Sequence, residues 1–361
     1  MLSAALQGEF VVVVNVSSPT HVAPSVAPSS VSARPRIGTV RELLERLRID
    51  LDRAVAAGVD AGRIDFPLRV PAAFVDRMEA GRLDDPLLRQ VLPWTVEKVP
   101  SPAGWSADPL AELTQGRARG ALISKYEGRA LLLTTGACAV HCRYCFRRHF
   151  PYGEHAQRSE VRAAIRGLTG VRELILSGGD PLTLDNDFLC ELVAELLERP
   201  QVDTLRIHTR TAIVDPGRID DALLRVLEPW TRAGRQLVVV VHCNHAREID
   251  GHVEVGLARL GGVGATLLNQ SVLLRGVNDD VLALVDLSRS LFAASVLPYY
   301  LHLLDPVEGA AHFDVPEAEA LQLWRSMQGR LPGYLVPRLA REVPGRPGKT
   351  ILVPPELEES T

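Results

Sequence analysis

Six short apolar runs rich in β-branched residues recur along the chain at intervals of roughly 30 to 40 residues, with helical apolar spacing between them. They are ALLLTT near 132, ELILSG near 175, TLRIHT near 206, LVVVVHC near 240, ATLLNQSVLL near 269 and PYYLHLL near 301. The interval is the length of a strand, a helix and two loops, so it predicts repeated βα units and a parallel sheet. Such units can form a partial barrel or an open doubly wound sheet, and periodicity does not choose between them. Either architecture puts active residues at the C-terminal ends of the strands. Gly136 to Cys145, Ser177 to Asp180, His208 to Arg210 and His242 to His245 fall there.

Before this repeat the composition differs. Residues 1–37 include VSSPTHVAPSVAPSSVSARPRI, rich in Ser, Pro, Ala and Val without period, and read as a disordered tail. From Thr39, a capping residue precedes VRELLERLRIDLDRAVAAG, which reads as a helix running to Gly58 and opens a helical region over 38–120. The barrel-like repeat occupies 121–332 and a C-terminal segment 333–361. Against 40 basic residues stand 44 acidic ones, for a net charge of −4, which does not fit a dedicated nucleic-acid or polybasic membrane binder. No run approaches the ~20 apolar residues of a membrane-spanning helix. The N-terminus has no basic region and carries Glu9 before its valine run, so it reads poorly as a secretory signal and the cytoplasm is expected.

Five cysteines do not suggest a disulfide framework in that compartment, and three crowd together as Cys138, Cys142 and Cys145 in a C-x3-C-x2-C array after the first strand. Three thiolates on one loop can hold three irons of a [4Fe–4S] cluster and leave the fourth iron open to a ligand. A structural zinc site completed by His141 or His149, and a redox pair at Cys142 and Cys145, are the competing readings. Cys190 and Cys243 read as ordinary buried thiols. All but three of the 40 basic residues are arginine, the lysines being Lys98, Lys125 and Lys349. A chain so biased toward Arg has reason to keep Lys where an amine must act as a nucleophile. Lys349, in the Gly/Pro-rich VPGRPGKT, could form a Schiff base with pyridoxal phosphate (PLP), though it also reads as an exposed loop lysine.

The cysteine array at the end of the first strand, followed by SGGD after the second, resembles the radical S-adenosylmethionine (SAM) superfamily. The wider run KYEGRALLLTTGACAVHCRYCFRRHFPY, LSGGDPL, RIHTR, HCNHAREID, TLLNQSVLLRGVND, PYYLHLLDPVEGAAHF and GYLVPRLARE...GKT resembles the lysine 2,3-aminomutase family over about residues 64 to 353. RVPAAFVDRMEAG and DDPLLRQVL look most like its short branch, which makes β-lysine for elongation factor P. The resemblance implies a partial (β/α)6 TIM-like barrel of the radical SAM type. It implies a cluster on Cys138, Cys142 and Cys145, and a SAM site at Ser177, Gly178, Gly179 and Asp180, where the family usually has GGE. Arg210, His242 and Gln270 would line the SAM pocket. Lys349 would carry PLP, with Lys125, Tyr126 and Arg129 around its phosphate. Arg147 would pair with the substrate carboxylate, and Asp305 would face its distal ammonium.

The implied isomerase reaction moves the α-amino group of L-lysine to C3, with a reducing electron donor for the cluster and a functional link to elongation factor P and its ligase. Two departures matter. Glu342 stands where the larger catabolic enzymes have an aspartate seven residues before the PLP lysine, and the cysteine-bearing C-terminal extension that those enzymes use between subunits is lacking. The strength of lysine binding and the state of any homo-oligomer are therefore open. An aminomutase for glutamate or arginine would keep the cysteines and Lys349, but Asp305 and Glu342 favour a cationic side chain.

Overall fold

The computed structural model describes residues 34–62, 65–114, 118–346 and 348–353, excepting the side chains at 118, 119, 125 and 126. Most of the expected tail therefore lies outside the described residues. Ordered pairing already begins at Arg36–Ile37, which runs antiparallel to Val70–Pro71.

Seven strands run parallel, each beside its chain predecessor: β1 (Arg129–Thr135), β2 (Glu173–Gly178), β3 (Thr204–Thr209), β4 (Gln236–Val241), β5 (Ala265–Val272), β6 (Leu297–His302) and β7 (Arg338–Arg341). Antiparallel strands flank the two ends, Leu122–Tyr126 on β1 and Thr350–Ile351 on β7. Between successive strands lie α1 (Arg158–Arg166), α2 (Asn186–Leu197), α3 (Asp221–Arg232), α4 (Gly251–Gly262), α5 (Val281–Ala293) and α6 (Glu317–Gln328). Sequential order with a helix in every crossover is the topology of a partial TIM-like barrel. Its curl is evident because Leu131 of β1 and Lys349 beyond β7 line the same cavity.

The six expected strands are all present, and β7 is an addition. Only four residues long and entered through Pro337, β7 has too little apolar alternation to announce itself, and it is held by register with β6, Tyr300 opposite Arg338 and His302 opposite Ala340. Four consecutive barrel helices begin with an aspartate whose carboxylate accepts from a first-turn amide: Asp185 from Phe188 N (2.8 Å), Asp220 from Leu223 N (2.8 Å), Asp250 from Val253 N (3.0 Å) and Asp280 from Leu282 N (2.8 Å).

Strand alternation sorts the side chains. On β3, Leu205 and Ile207 pack outward with Leu192, Leu196, Leu227 and Trp230 of the helical layer, while Arg206 and His208 face the interior. The segment expected as one helix from Thr39 to Gly58 is two, Val40–Arg46 and Leu51–Ala56. Arg48 has φ +55°, and Asp50 starts afresh by accepting from Arg53 N at 2.8 Å. The apolar faces of these helices, with Phe74, Leu87, Leu88 and Leu92, close around Ala139 and Val140 of the cysteine loop. The N-terminal region is thus a platform beneath that loop. Among the described residues, no helix is long and apolar enough to cross a membrane.

Candidate active site

At the C-terminal ends of the strands lies a cavity of about 490 Å³. Cys138, Cys142 and Cys145 line it together with Arg147, Ser177, Gly178, Gly179, Asp180, Arg210, His242, Gln270, Asp305, Glu342 and Lys349. Residues expected from widely separated segments are thereby brought to one chamber. Arg129 lines a second chamber of about 410 Å³, which shares Leu131, His208, Gln270, Glu342 and Lys349 with the first. The side chains of Lys125 and Tyr126 lie outside the described residues.

The cysteine loop is clamped from two sides. From below, Arg69 O accepts from His141 N (2.9 Å) and Gln90 O from Arg143 N (2.9 Å), while the Arg143 guanidinium reaches Glu97 (2.9 Å) and Phe66 O (2.6 Å). From the side, Gly179 N donates to Thr135 O (2.6 Å) and Asp180 N to Ala137 O (2.8 Å). This approach needs glycine. Gly178 has φ +117°, and a Cβ there would sit 2.5 Å from Thr135 O; a Cβ on Gly179 would run into the Ala137 carbonyl. Gly178→Ala is expected to cost about 3 kcal/mol through strain and overpacking. The loop would shift, so iron retained per chain after reconstitution should fall with the thermal midpoint. Unchanged iron content with a lowered midpoint would show that the clamp does not serve the cysteines.

Burial pushes the Cys142 thiol up and Cys145 up to about 11, and burial with repulsion from its neighbours also pushes Cys138 well up. Iron would supply the positive charge that three thiolates here lack. Among the described residues, no three His, Cys, Asp or Glu side chains converge on a point that could hold a single metal ion. A cluster takes each thiolate on a different iron. Of the remaining cysteines, Cys243 is buried as expected, but Cys190 is exposed, on the solvent side of α2.

Asp180 is engaged by its own chain. Its oxygens accept from Thr209 Oγ1 (2.8 Å), Leu182 N (3.0 Å), Arg210 N (2.8 Å) and Thr211 N (2.8 Å), so the carboxylate fastens the turn after β3, and burial pushes it up. Behind the cysteines, Tyr144 OH and His242 Nε2 share a hydrogen bond (2.9 Å), and the hydroxyl contacts the Arg210 guanidinium. Arg210 also reaches Gln90 Oε1 (2.8 Å) and Glu248 (3.4 Å). This network joins the platform, the cysteine loop, β3 and β4 in one buried unit.

Arg147, expected to face a substrate carboxylate, is held by Glu112 through two hydrogen bonds, Nε to Oε2 at 2.8 Å and Nη2 to Oε1 at 2.9 Å. Lys349 Nζ lies 2.5 Å from Glu342 Oε1, over the Tyr300 ring at 5.6 Å. Among the described residues, Arg129, Arg206, Arg338 and Lys349 line the second chamber with Glu342, and Glu173 beside it pairs with Arg129 (2.8 Å) and with Arg206. His208 and His302 line the chamber with Lys349, and the Nε2 atom of each is buried without a hydrogen-bond partner among the described residues. An amine at the junction, a cationic chamber beside it and two orphaned polar atoms fit a phosphate-bearing aldehyde such as PLP.

Glu112, Arg206, His302 and Arg338 were not anticipated as site residues, and Tyr144 and His208 lie within the strand-end segments expected to be active but were given no role of their own. The alternation of TLRIHT places Arg206 and His208 on one face and could have exposed them; Glu112 has no local signal.

Burial drives His208 down to about 3, and His242 and His302 well below the usual imidazole range. Because these folded values lie below the unfolded value near 6.5, the unfolded chain binds more protons in acid. Their contribution to stability is full above about pH 6.5 and is lost as pH falls toward the folded values. At pH 5.5 the loss is about 1 kcal/mol for each histidine. The thermal midpoint is expected to drop by on the order of 5 °C between pH 7.5 and 5.5, with a smaller drop in His208→Phe. A midpoint flat across that window would contradict buried neutral imidazoles.

A family model described as a 4Fe-4S single cluster domain matches residues 126–213, a span containing all three clustered cysteines. L-lysine 2,3-aminomutase of Escherichia coli K12 is 49% identical over 86% of this chain and 90% of its own length. The Haemophilus influenzae protein of that name is 44% identical over 84% and 88%, and the Clostridium subterminale one 32% identical over 89% and 76%. The chain is an isomerase that belongs to the L-lysine 2,3-aminomutase family.

Proposed function

We propose that this enzyme converts L-lysine to β-lysine, using a [4Fe–4S] cluster on Cys138, Cys142 and Cys145, SAM beside Ser177 to Gly179, and PLP on Lys349. The observation that carries the reading is the single chamber in which the cysteine loop and Lys349 face one another, with Arg147, Asp305 and Glu342 on its wall. When bound on the cysteine loop and on Lys349, the cluster with SAM would supply one-electron chemistry at a C–H bond, and PLP would supply the delocalisation that a migrating amino group needs.

The chain's own part is positioning. Arg147 offers a guanidinium for the α-carboxylate, and Asp305 and Glu342 offer carboxylates for the ammonium at the other end. Salt bridges at both ends of lysine hold the carbons between them in one place. Arg129, Arg206 and Arg338 give the cofactor phosphate a cationic chamber. Gly178 and Gly179 bring the β2 turn against the cysteine loop, where the Gly178 carbonyl accepts from Tyr152 OH (2.7 Å). Apolar wall residues such as Leu131, Val240 and Leu304 keep water from the reacting carbon.

The same reading assigns the product to the modification of elongation factor P. Its support is the likeness of the N-terminal platform to the short branch, and the higher identity to the E. coli relative, 49%, than to the clostridial one, 32%. The test is anaerobic reconstitution with iron and sulfide, addition of PLP, SAM, dithionite and L-lysine, and chromatography for β-lysine. β-Lysine is expected, and transfer of it to elongation factor P by the cognate ligase should follow. SAM cleavage without β-lysine would overturn the substrate assignment, and absence of iron uptake would overturn the cluster.

A further inference from the structure

The guanidinium of Arg147 has two usable edges, and the chain has already filled one. Glu112 grips the Nε–Nη2 edge as a fork, with both side chains buried. Nη1 lies 3.3 Å from Ser177 Oγ. Arg147 and Ser177 line the chamber, whereas Glu112 stands behind them and outside it. The carboxylate is also held in its own right: the turn that carries it is fastened by Asp108, which accepts from Glu112 N (2.9 Å), Leu113 N (3.1 Å) and Thr114 N (3.1 Å).

We propose that Glu112 is a positioning residue for substrate recognition: it fixes the plane of the Arg147 guanidinium so that only the Nη1 side is presented to the substrate carboxylate, next to Ser177. The inference rests on the reading that Arg147 meets that carboxylate. A single guanidinium rotating freely could accept a carboxylate in several orientations, each setting the substrate chain at a different angle. With one edge occupied by a buried, two-point partner, one orientation remains. The pair also keeps a buried cation compensated before substrate arrives. Glu112 thus touches neither substrate nor cofactor and acts through Arg147.

The holoenzyme, reconstituted with iron, SAM and PLP, tests this through four variants. Glu112→Gln replaces one acceptor oxygen with an NH2 group facing a guanidinium, so the fork cannot form. Its KM for L-lysine is expected to rise about 10-fold or more. The 5′-deoxyadenosine formed per β-lysine should also rise, because a tilted substrate leaves hydrogen abstraction uncoupled from product. Glu112→Asp should recover part of both. Asp108→Asn loosens the turn without touching the pair and should shift both readouts the same way by a smaller factor, which decides the matter if Glu112→Gln does not fold.

Arg147→Lys separates the two layers of the argument. If Arg147→Lys leaves KM unchanged, the carboxylate reading itself fails. If Arg147→Lys raises KM while Glu112→Gln and Asp108→Asn, with full iron content, keep the parent KM and coupling ratio, the positioning role is overturned and Glu112 only compensates charge. A fall in thermal midpoint alone, with KM and coupling unmoved, counts against the proposal in the same way.

Discussion

Lys349→Ala, reconstituted with a full complement of iron, is expected to lose β-lysine formation entirely and to retain no PLP through gel filtration. Borohydride treatment should leave no pyridoxyl group on the chain, whereas the parent should be labelled at Lys349. The cysteine loop lies on the far side of the chamber and is held by Arg69, Gln90 and the β2 glycines, none of which depends on Lys349. Iron content and slow SAM cleavage should therefore persist. The variant also leaves Glu342 without its ion-pair partner at 2.5 Å, in a site where both side chains are largely covered, and a loss of about 1 kcal/mol in stability should accompany it. β-Lysine production by this variant would remove the amine from the mechanism and return Lys349 to the status of a loop lysine. The scarcity of lysine in the sequence would then have been a false lead.

That scarcity was legible because composition is a property of the whole chain, and so was the cysteine loop, since three thiols in one turn after a strand have few structural uses. The barrel was legible for a similar reason: six apolar runs recur at the length of a βα unit, and each of them is a strand of the sheet. What escaped was set by contacts between distant segments. Glu112 reaches Arg147 across 35 residues, and Gln90 reaches Glu248 across 158, through loops with no period. The helices of the N-terminal region could be read, but not that their apolar faces would close on Ala139 and Val140, because that choice depends on the shape of the cysteine loop. The break at Arg48 is likewise tertiary: the apolar pattern runs straight through it, while packing and the Asp50 cap turn the chain. Asp180 carries a second duty that the motif did not announce: it lines the chamber as expected, and four donors from its own chain hold its carboxylate to the turn after β3.

Cys142→Ala should abolish both SAM cleavage and β-lysine formation while leaving PLP bound. The reason lies in how the loop is supported. Cys142 sits between His141, whose amide is tied to Arg69 O, and Arg143, whose amide is tied to Gln90 O and whose guanidinium is tied to Glu97. Removing one sulfur from so well-fastened a loop costs about 1 kcal/mol of packing and should leave the backbone in place. The second chamber, with Arg129, Arg206 and Arg338, does not include the loop at all, so the cofactor amine and its cationic surroundings survive. Iron per chain after anaerobic reconstitution is the discriminating measurement. With two thiolates left, a four-iron cluster loses one of its three anchors, and iron with its visible absorption should fall to a small fraction of the parent value. Zinc at about one per chain in the parent, reduced in Cys142→Ala with PLP chemistry intact, would instead make the loop a structural site, and the radical reaction would have no source within this chain.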